Sequence, residues 1–304
     1  MAYPEVPGRV ERVLEGIRLA CEIDLRETRE LAVDGVRALH DEDYVTFLLE
    51  MAESLNEGEE YIPSIFHPDL SRGPLEFRGG MFTAEIGTPI GPATIEAALN
   101  SAAAAEEAAR VAVRDSRHTV ALCRPPGHHA TRRRYGGYCF FNNAYLAARV
   151  LSGSGRCAVV DVDYHLGDGS LDFATESTPY FSLHADPWLN YPHAHAGLDS
   201  EKPGAYLRTL LDGTDSAGYL KVLDESLETL KGLRPDYVVL SLGFDALGTD
   251  EIQDARVDLR PEDYGAIGQR IADLPCRVVV LLEGGYDLDS LDACAAHFFR
   301  GFTR

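Results

Sequence analysis

The sequence predicts an α/β fold: a single domain with a central parallel β-sheet and helices on both faces. Short β-branched runs alternate with longer helical segments, and this alternation is typical of a parallel sheet. The 304 residues contain no internal repeat, no low-complexity tract and no evident linker. About 150 residues per domain would give two domains, but one α/β domain can reach this length. We therefore expect one domain over residues 1–304.

Each predicted strand is a short buried run that a helical segment follows. The predicted strands are 119–123, 157–162, 180–183, 236–242 and 277–282. The predicted helices are 10–23, 44–55, 94–114, 143–151, 217–230, 261–274 and 288–299, with Pro261 in a first turn. Residues 56–91 are rich in Gly, Pro and Glu without a sustained period. This segment is predicted to be a long loop, either functional or a surface excursion.

The composition excludes several classes of protein. Lys and Arg total 28 and Asp and Glu total 49, which gives a net charge of −21. Such a field repels nucleic acid and attracts cations, so a cationic small molecule is the better partner. The six scattered cysteines form no C-x-x-C pair, which suits a reducing cytoplasm. The charged N-terminus does not resemble a signal peptide, and no apolar stretch approaches the roughly 20 residues that span a membrane.

Polar clusters follow all five predicted strands. They lie at 124–130, 161–169, 182–187, 241–245 and 282–287. In open α/β sheets, ligands bind outside the carboxyl ends of the strands. We therefore expect the active site at this edge of the sheet.

One of these clusters has the composition of a metal site. Asp161, Asp163 and His165 alternate along one segment, so their side chains project to the same side. Buried together, they would need a cation, and Asp245 can supply a further oxygen. The set Asp163, His165 and Asp245 leaves a position open for water, as catalytic zinc sites do. The alternative is a solvated acidic strand end.

Other residues of these clusters are candidates for proton transfer. His128 and His129 follow a Pro-Pro-Gly entry, and Asp161 and Asp168 are available to orient them. Tyr286 follows two glycines, and its phenol could stabilise an oxyanion. Taken singly, a surface histidine pair and a core tyrosine remain the alternatives. Nucleotide-binding glycine motifs and a G-x-S-x-G elbow are absent from the sequence.

Six motifs together resemble the histone deacetylase superfamily, most closely its acetylpolyamine amidohydrolase branch. The motifs are RPPGHHA at 124–130, GGYCFFNNA at 136–144, DVDYHLGDG at 161–169, SLHADP at 182–187, SLGFDA at 241–246 and LEGGYD at 282–287. Leu166 departs from the pattern, because many relatives carry a second histidine there. The resemblance implies a metal-dependent amidohydrolase that releases acetate and a free amine.

The resemblance also implies a role for each matching residue. One zinc ion per chain would be held by Asp163, His165 and Asp245, although iron or cobalt could replace it. The remaining implied roles are catalysis by His128 and His129, paired with Asp161 and Asp168, and by Tyr286; substrate binding by Gly137 and Tyr138; and binding of a structural potassium ion by Ser182 and Leu183.

The identity of the substrate is left open by the sequence. An acetylpolyamine is favoured by the closest motif resemblance and the acidic charge, whereas Arg132, Arg133 and Arg134 would oppose a cation if they faced the entrance. An acetyl-lysine peptide and a weakly active acetyl-amine binding relative remain alternatives. An arginase-like two-metal site would need a carboxylate where Leu247 stands. The resemblance also implies a homodimer formed through residues 56–91.

Overall fold

The computed structural model describes residues 3–27, 33–194 and 202–304. The strands are β1 (Thr119–Ala121), β2 (Cys157–Asp161), β3 (Tyr180–Ala185), β4 (Ala205–Leu210), β5 (Thr214–Asp215), β6 (Tyr237–Leu242), β7 (Val257–Asp258) and β8 (Arg277–Leu282). At the centre is a six-stranded parallel sheet in the order β1-β8-β6-β2-β3-β4, and β5 pairs with β7 in a separate two-stranded sheet.

The helices cover both faces of the central sheet. They are α1 (Gly8–Ala20), α2 (Val33–Arg37), α3 (Glu42–Ser54), α4 (Leu75–Arg78), α5 (Thr94–Asp115), α6 (Asn143–Ser152), α7 (Asp168–Phe173), α8 (Ser216–Leu233), α9 (Asp263–Ala272) and α10 (Leu291–Phe302). Residues of α1, α8, α9 and α10 share one core cluster with the sheet, and residues of α5 and α6 share the other.

Alternation of side chains along the strands explains this layering. In β8, Val278 and Val280 pack on the α9–α10 side, whereas Val279 and Leu281 pack on the α5–α6 side. All four are buried. A strand with both faces covered must be apolar at every position, which is why these runs are continuous rather than alternating. Burying each such side chain contributes about 1.5–3 kcal/mol.

The predicted fold class is confirmed, and several elements differ from the prediction, among them the short α2, α4, α7, β5 and β7, which were not predicted. Strand β4 was not predicted, because it lies at the sheet edge and its only fully buried residues are Leu207 and Leu210. Strand β1 ends at Ala121, before the predicted end at 123. The prediction of Pro261 in a first helical turn is wrong, because α9 begins two residues later at Asp263.

The segment 56–91 is mostly irregular but is attached to the rest of the fold. Tyr61 and Ile90 exchange backbone hydrogen bonds of 2.8 and 3.0 Å, which closes the segment at its base. It also contains α4 and a short 3₁₀ turn at Gly79–Met81. Buried residues such as Phe82 join the core formed by α3 and the first half of α5.

The six cysteines are all free. Among the described residues, no helix is both long and apolar enough to cross a membrane.

Candidate active site

Three side chains at the carboxyl ends of β2 and β6 converge on one point. The Nδ1 atom of His165 lies 3.1 Å from Asp245 Oδ2 and 3.4 Å from Asp163 Oδ1. One ligand atom from each residue lies within 4.8 Å of the other two. All three residues are buried, so water cannot fully solvate their charges.

Backbone N–H groups hold the two carboxylates in place. Asp163 accepts hydrogen bonds from Gly284 N at 2.8 Å and from His165 N at 2.9 Å. Asp245 accepts one from Tyr164 N at 3.1 Å. A side chain at position 284 would not fit, because its Cβ would lie 2.4 Å from Asp245 Oδ2 and 2.6 Å from Asp163 Oδ2. Glycine is required there because the loop after β8 approaches both carboxylates so closely.

The geometry and charge of this group fit a divalent metal ion. Four ligands at about 2.0–2.1 Å from a tetrahedral ion lie about 3.3 Å from one another, close to the separations found here. Burial and the Asp163 carboxylate raise the pKa of Asp245 to about 6. Burial opposes a charge on His165, but its hydrogen bonds to Asp163 and Asp245 raise its pKa to about 9. The cluster therefore attracts positive charge strongly, as a cation site must.

Two histidine–aspartate pairs lie beside this group. His128 Nδ1 lies 3.1 Å from Asp161 Oδ2, and His129 Nδ1 lies 2.7 Å from Asp168 Oδ1. The two imidazole rings are 4.0 Å apart between centroids. His128 Nε2 faces Asp163 Oδ1 at 3.8 Å. The structure therefore brings both pairs to the edge of the candidate metal site.

The pKa values of the two histidines are shifted in opposite directions. Burial lowers the pKa of His128, but the carboxylates of Asp163 and Asp161 outweigh burial and raise it well above its usual value. Burial and the neighbouring His128 and His165 lower the pKa of His129 well below its usual value. Two adjacent groups with divergent pKa values are the arrangement that acid–base chemistry needs.

A buried carboxylate that the sequence analysis did not assign holds the histidine loop. Glu283 accepts hydrogen bonds from Gly127 N at 2.7 Å, His128 N at 3.2 Å and Ser241 Oγ at 2.9 Å. Burial raises its pKa to about 7. His128, Cys139 and Glu283 are also close enough together to hold an ion. The hydrogen bonds from Gly127, His128 and Ser241 show that this carboxylate holds the histidine loop. In the sequence, the signal for a role of Glu283 was that it lies in the same LEGGYD motif as Tyr286.

Tyr286 lies in a turn that Asp250 holds, and its ring contacts the side chain of Arg9. Its backbone N–H donates to Asp250 Oδ2 at 2.6 Å, and the guanidinium of Arg9 lies 4.6 Å from its ring centroid. Burial raises its pKa well above the usual value, and the Asp245 and Asp163 carboxylates add to this against the effect of Arg9. The phenol is therefore protonated and can donate a hydrogen bond.

Two further aromatic rings border His129 and Tyr286. Gly137 and Tyr138 have φ values of +53° and +65°, and a Cβ at Gly137 would lie 2.4 Å from His129 Cδ2. The Tyr138 ring lies 5.8 Å from that of Tyr286. Tyr191, which the sequence analysis missed, places its ring 4.7 Å from that of His129. It lies outside the quoted motifs, so only the fold could reveal it.

Ser182 and Leu183 lie on β3, next to the strand that carries Asp161. Ser182 is paired with Asp161 in the sheet register, and its hydroxyl lies 2.9 Å from His184 Nδ1. Leu183 is buried in the core. Leu247 is buried as well and offers no ligand for a second metal beside Asp245.

Comparison with known proteins identifies the family to which this site belongs. A family model described as a histone deacetylase domain matches residues 3–302. The chain belongs to the histone deacetylase family. The resemblance inferred from the motifs is thereby confirmed, and the chain is a hydrolase of the deacetylase type, in a family that uses a metal.

Relatives within the histone deacetylase family match the chain over nearly its full length. An acetylpolyamine amidohydrolase from Burkholderia pseudomallei (strain 1710b) is 36% identical, covering 98% of this chain and 91% of the relative. One from Mycoplana ramosa is 31% identical with the same coverage. A crystal structure of acetylpolyamine aminohydrolase from B. pseudomallei superposes with a TM-score of 0.89 at 34% identity, covering 98% of this chain and 91% of that chain. The HDA15 HD domain superposes with a TM-score of 0.82 at 25% identity, covering 99% and 84%.

Proposed function

We propose that the protein is a zinc-dependent deacetylase that hydrolyses the acetamide of acetylated polyamines to acetate and a free amine. The observation that carries this proposal is the convergence of Asp163, His165 and Asp245 beside two histidines with opposite pKa shifts. Such a site combines a metal ligand set with a neutral imidazole base and a second imidazole that a carboxylate orients. Hydrolysis of an amide uses a metal ion to activate water and side chains to transfer protons.

The metal ion would be held by Asp163, His165 and Asp245. Once bound, zinc would supply a Lewis acid that polarises the amide carbonyl and activates the attacking water. The oxygen-rich ligand set would also accept iron(II) or cobalt. The protein contribution is a buried, pre-formed set of ligands whose carboxylates are already fixed by backbone N–H groups.

The side chains of the protein would transfer the protons and stabilise the charge that develops on the oxyanion. His129 is neutral because its pKa is lowered, and its Nδ1 is engaged by Asp168, so Nε2 is free to accept a proton from water. His128, whose Nδ1 is oriented by Asp161, would direct its Nε2 toward the site and stabilise the developing oxyanion. Tyr286 would donate a hydrogen bond to the same oxyanion. A histidine would finally protonate the departing amine.

Support for a polyamine substrate comes from the relatives and from the charge. The relatives described above are named acetylpolyamine amidohydrolases. The net charge of −21 raises the local concentration of a cationic substrate. Two of the arginines at 132–134 are engaged elsewhere, because Arg132 stacks on Phe173 and Arg133 pairs with Asp43. Gly137 and Tyr138, with Tyr191, would line the path of the alkyl chain.

The test is to measure kcat/KM for acetylputrescine and for an acetyl-lysine peptide, on protein whose metal content has been determined. We expect about one zinc per chain, activity that a chelator abolishes and zinc restores, and at least about a tenfold preference for acetylputrescine. A preference for the peptide would assign the protein to the alternative, a peptide deacetylase. A metal-loaded protein without activity on either would make it an acetyl-amine binding relative.

We further propose four features that accompany this function. Residues 1–304 would form one catalytic domain, and residues 56–91 would contribute to a homodimer, which light scattering would detect.

Ser182 and Leu183, beside Asp161, would bind a structural potassium ion, so that exchanging potassium for a larger cation lowers the Tm. The six free cysteines support a location in the reducing cytoplasm.

A further inference from the structure

Tyr180, the first residue of β3, contacts the carboxylate that orients His128. Its side chain is fully buried, and its hydroxyl donates to Asp161 Oδ2 at 2.8 Å. The same oxygen faces His128 Nδ1 at 3.1 Å. Asp161 Oδ1 accepts a third hydrogen bond from the Asp163 backbone N–H at 3.1 Å. The hydroxyl of Tyr180 is therefore one of three donors that fix the orientation of this carboxylate.

The sheet register explains how Tyr180 reaches Asp161. Tyr180 pairs with Val159 on β2, and Asp161 lies two residues further along the same strand. Positions two apart share a face of the sheet, so the side chains of Tyr180 and Asp161 are diagonal neighbours on one face. A long side chain with a terminal donor can cover that diagonal distance, whereas a serine or threonine could not.

The loop after β2 closes the space around this hydrogen bond. A Cβ at Gly167 would lie 2.7 Å from the Tyr180 hydroxyl and 2.7 Å from Asp161 Oδ2, so glycine alone leaves room for the contact. Leu166 is fully buried in the same core cluster as Tyr180. The backbone at Gly167 therefore closes one side of this contact.

We propose that Tyr180 is a positioning residue for catalysis, acting on His128 through Asp161. The proposal rests on the function proposed above, in which His128 stabilises the oxyanion. Without the hydroxyl, Asp161 would keep two of its three donors, His128 on Oδ2 and the Asp163 backbone N–H on Oδ1, and the carboxylate would be held less firmly. The imidazole would then lose its fixed orientation toward the site. A hydrogen bond to a charged group is strong enough for its loss to alter turnover measurably.

A purely structural role predicts a different pattern of effects. Tyr44 provides the matched control, because it is also fully buried and its hydroxyl donates to the Phe140 carbonyl at 2.6 Å. Both Tyr→Phe variants remove one buried hydroxyl and should lower the Tm by similar amounts. Only Tyr180→Phe should lower kcat, by about tenfold, with KM and zinc content unchanged.

A double-mutant cycle tests whether Tyr180 acts through Asp161. In an Asp161→Asn background, Tyr180→Phe should change kcat by less than about twofold, because the carboxylate that it positions is gone. In an Asp168→Asn background, which alters the other histidine pair, the loss of about tenfold should persist. An undiminished loss in the Asp161→Asn background would overturn the proposal, and so would a Tyr180→Phe variant with the kcat of the wild type.

A structural measurement separates this proposal from the proposed function. In a crystal structure of the zinc-loaded wild-type protein, the Tyr180 hydroxyl should remain within hydrogen-bond distance of Asp161 Oδ2. A separation above about 4 Å would overturn the positioning role. If the wild-type protein hydrolysed neither acetylated amine, the proposed function would fail, and the role of Tyr180 in catalysis would fail with it. A zinc-loaded, active enzyme in which Tyr180 has moved away would contradict only the present proposal.

Discussion

The carboxylate of Asp250 holds the turn that carries Tyr286. Its Oδ2 accepts hydrogen bonds from the backbone N–H groups of Tyr286 at 2.6 Å and Asp287 at 3.2 Å, and its Oδ1 accepts one from Ile252 at 3.2 Å. Asp250 is almost fully buried. The position of Tyr286 therefore depends on a residue 36 positions away in the chain.

Replacing Asp250 should impair turnover without loss of the metal. In Asp250→Asn, an NH₂ group replaces one of two oxygens that both accept backbone hydrogen bonds, so the turn must shift. We expect kcat to fall at least about tenfold with zinc content unchanged. Asp215→Asn is the matched control, because Asp215 also accepts a backbone N–H, from Gly218 at 2.9 Å, but at the start of α8. Equal kcat values for the two variants would contradict the role of Asp250.

Removing the phenol itself should have a larger effect. Tyr286→Phe keeps the ring beneath the Arg9 guanidinium but deletes the donor to the oxyanion. Loss of one such donor reduces kcat by about 10²–10³, and we expect a reduction in that range. Metal content, measured by elemental analysis, should equal that of the wild-type protein. Normal turnover in this variant would remove Tyr286 from the mechanism.

Gly137 should be intolerant of a side chain for a reason beyond its backbone conformation. In Gly137→Ala, the new Cβ would lie 2.4 Å from His129 Cδ2, so the imidazole must move. We expect kcat/KM to fall at least about tenfold. Gly213→Ala is the control, because Gly213 has a φ of +79° and nothing lies within 4 Å of an added Cβ. That variant should lose only about 1 kcal/mol of stability. A similar kcat/KM for both variants would show that the clash is harmless.

The stability of the protein should fall in mild acid, in part because of His40. Burial lowers the pKa of His40 to about 4 from 6.5, so its neutral form is preferred in the folded state. Nδ1 lies 2.9 Å from the Thr131 carbonyl, and Nε2 accepts a hydrogen bond from Asn142 N. The unfolded chain binds the proton first as the pH falls. Stability is therefore lost between about pH 6.5 and pH 4, by about 3 kcal/mol in total.

The measurement is the unfolding free energy from denaturant titrations at pH 7 and pH 4.5. His40→Gln should be less stable than the wild-type protein at pH 7, because a hydrogen-bonded imidazole is lost. The difference between the two proteins should narrow at pH 4.5, because glutamine does not titrate. A constant difference across this range would show that His40 does not contribute to the acid sensitivity.

The sequence by itself determined the fold class and the edge of the sheet at which the site lies. Continuous apolar runs such as β8 predict strands that are buried on both faces. Polar residues that directly follow such runs must meet at one edge of the sheet, because the carboxyl ends of parallel strands lie there. Local spacing also brought Asp163 and His165 to one side of one segment. Strand β4 could not be recognised in the same way, because an edge strand with few buried positions lacks a continuous apolar run.

Only the tertiary structure decided which distant residues support the site. Glu283 binds the loop of His128, Tyr191 borders His129 and Tyr180 reaches Asp161, yet none of these contacts follows a local period in the chain. Each depends on strand order and register, which set the distance between residues far apart in sequence. Hydrogen bonds act over about 3 Å, so the contacts of these buried groups are specified only when the whole sheet is assembled.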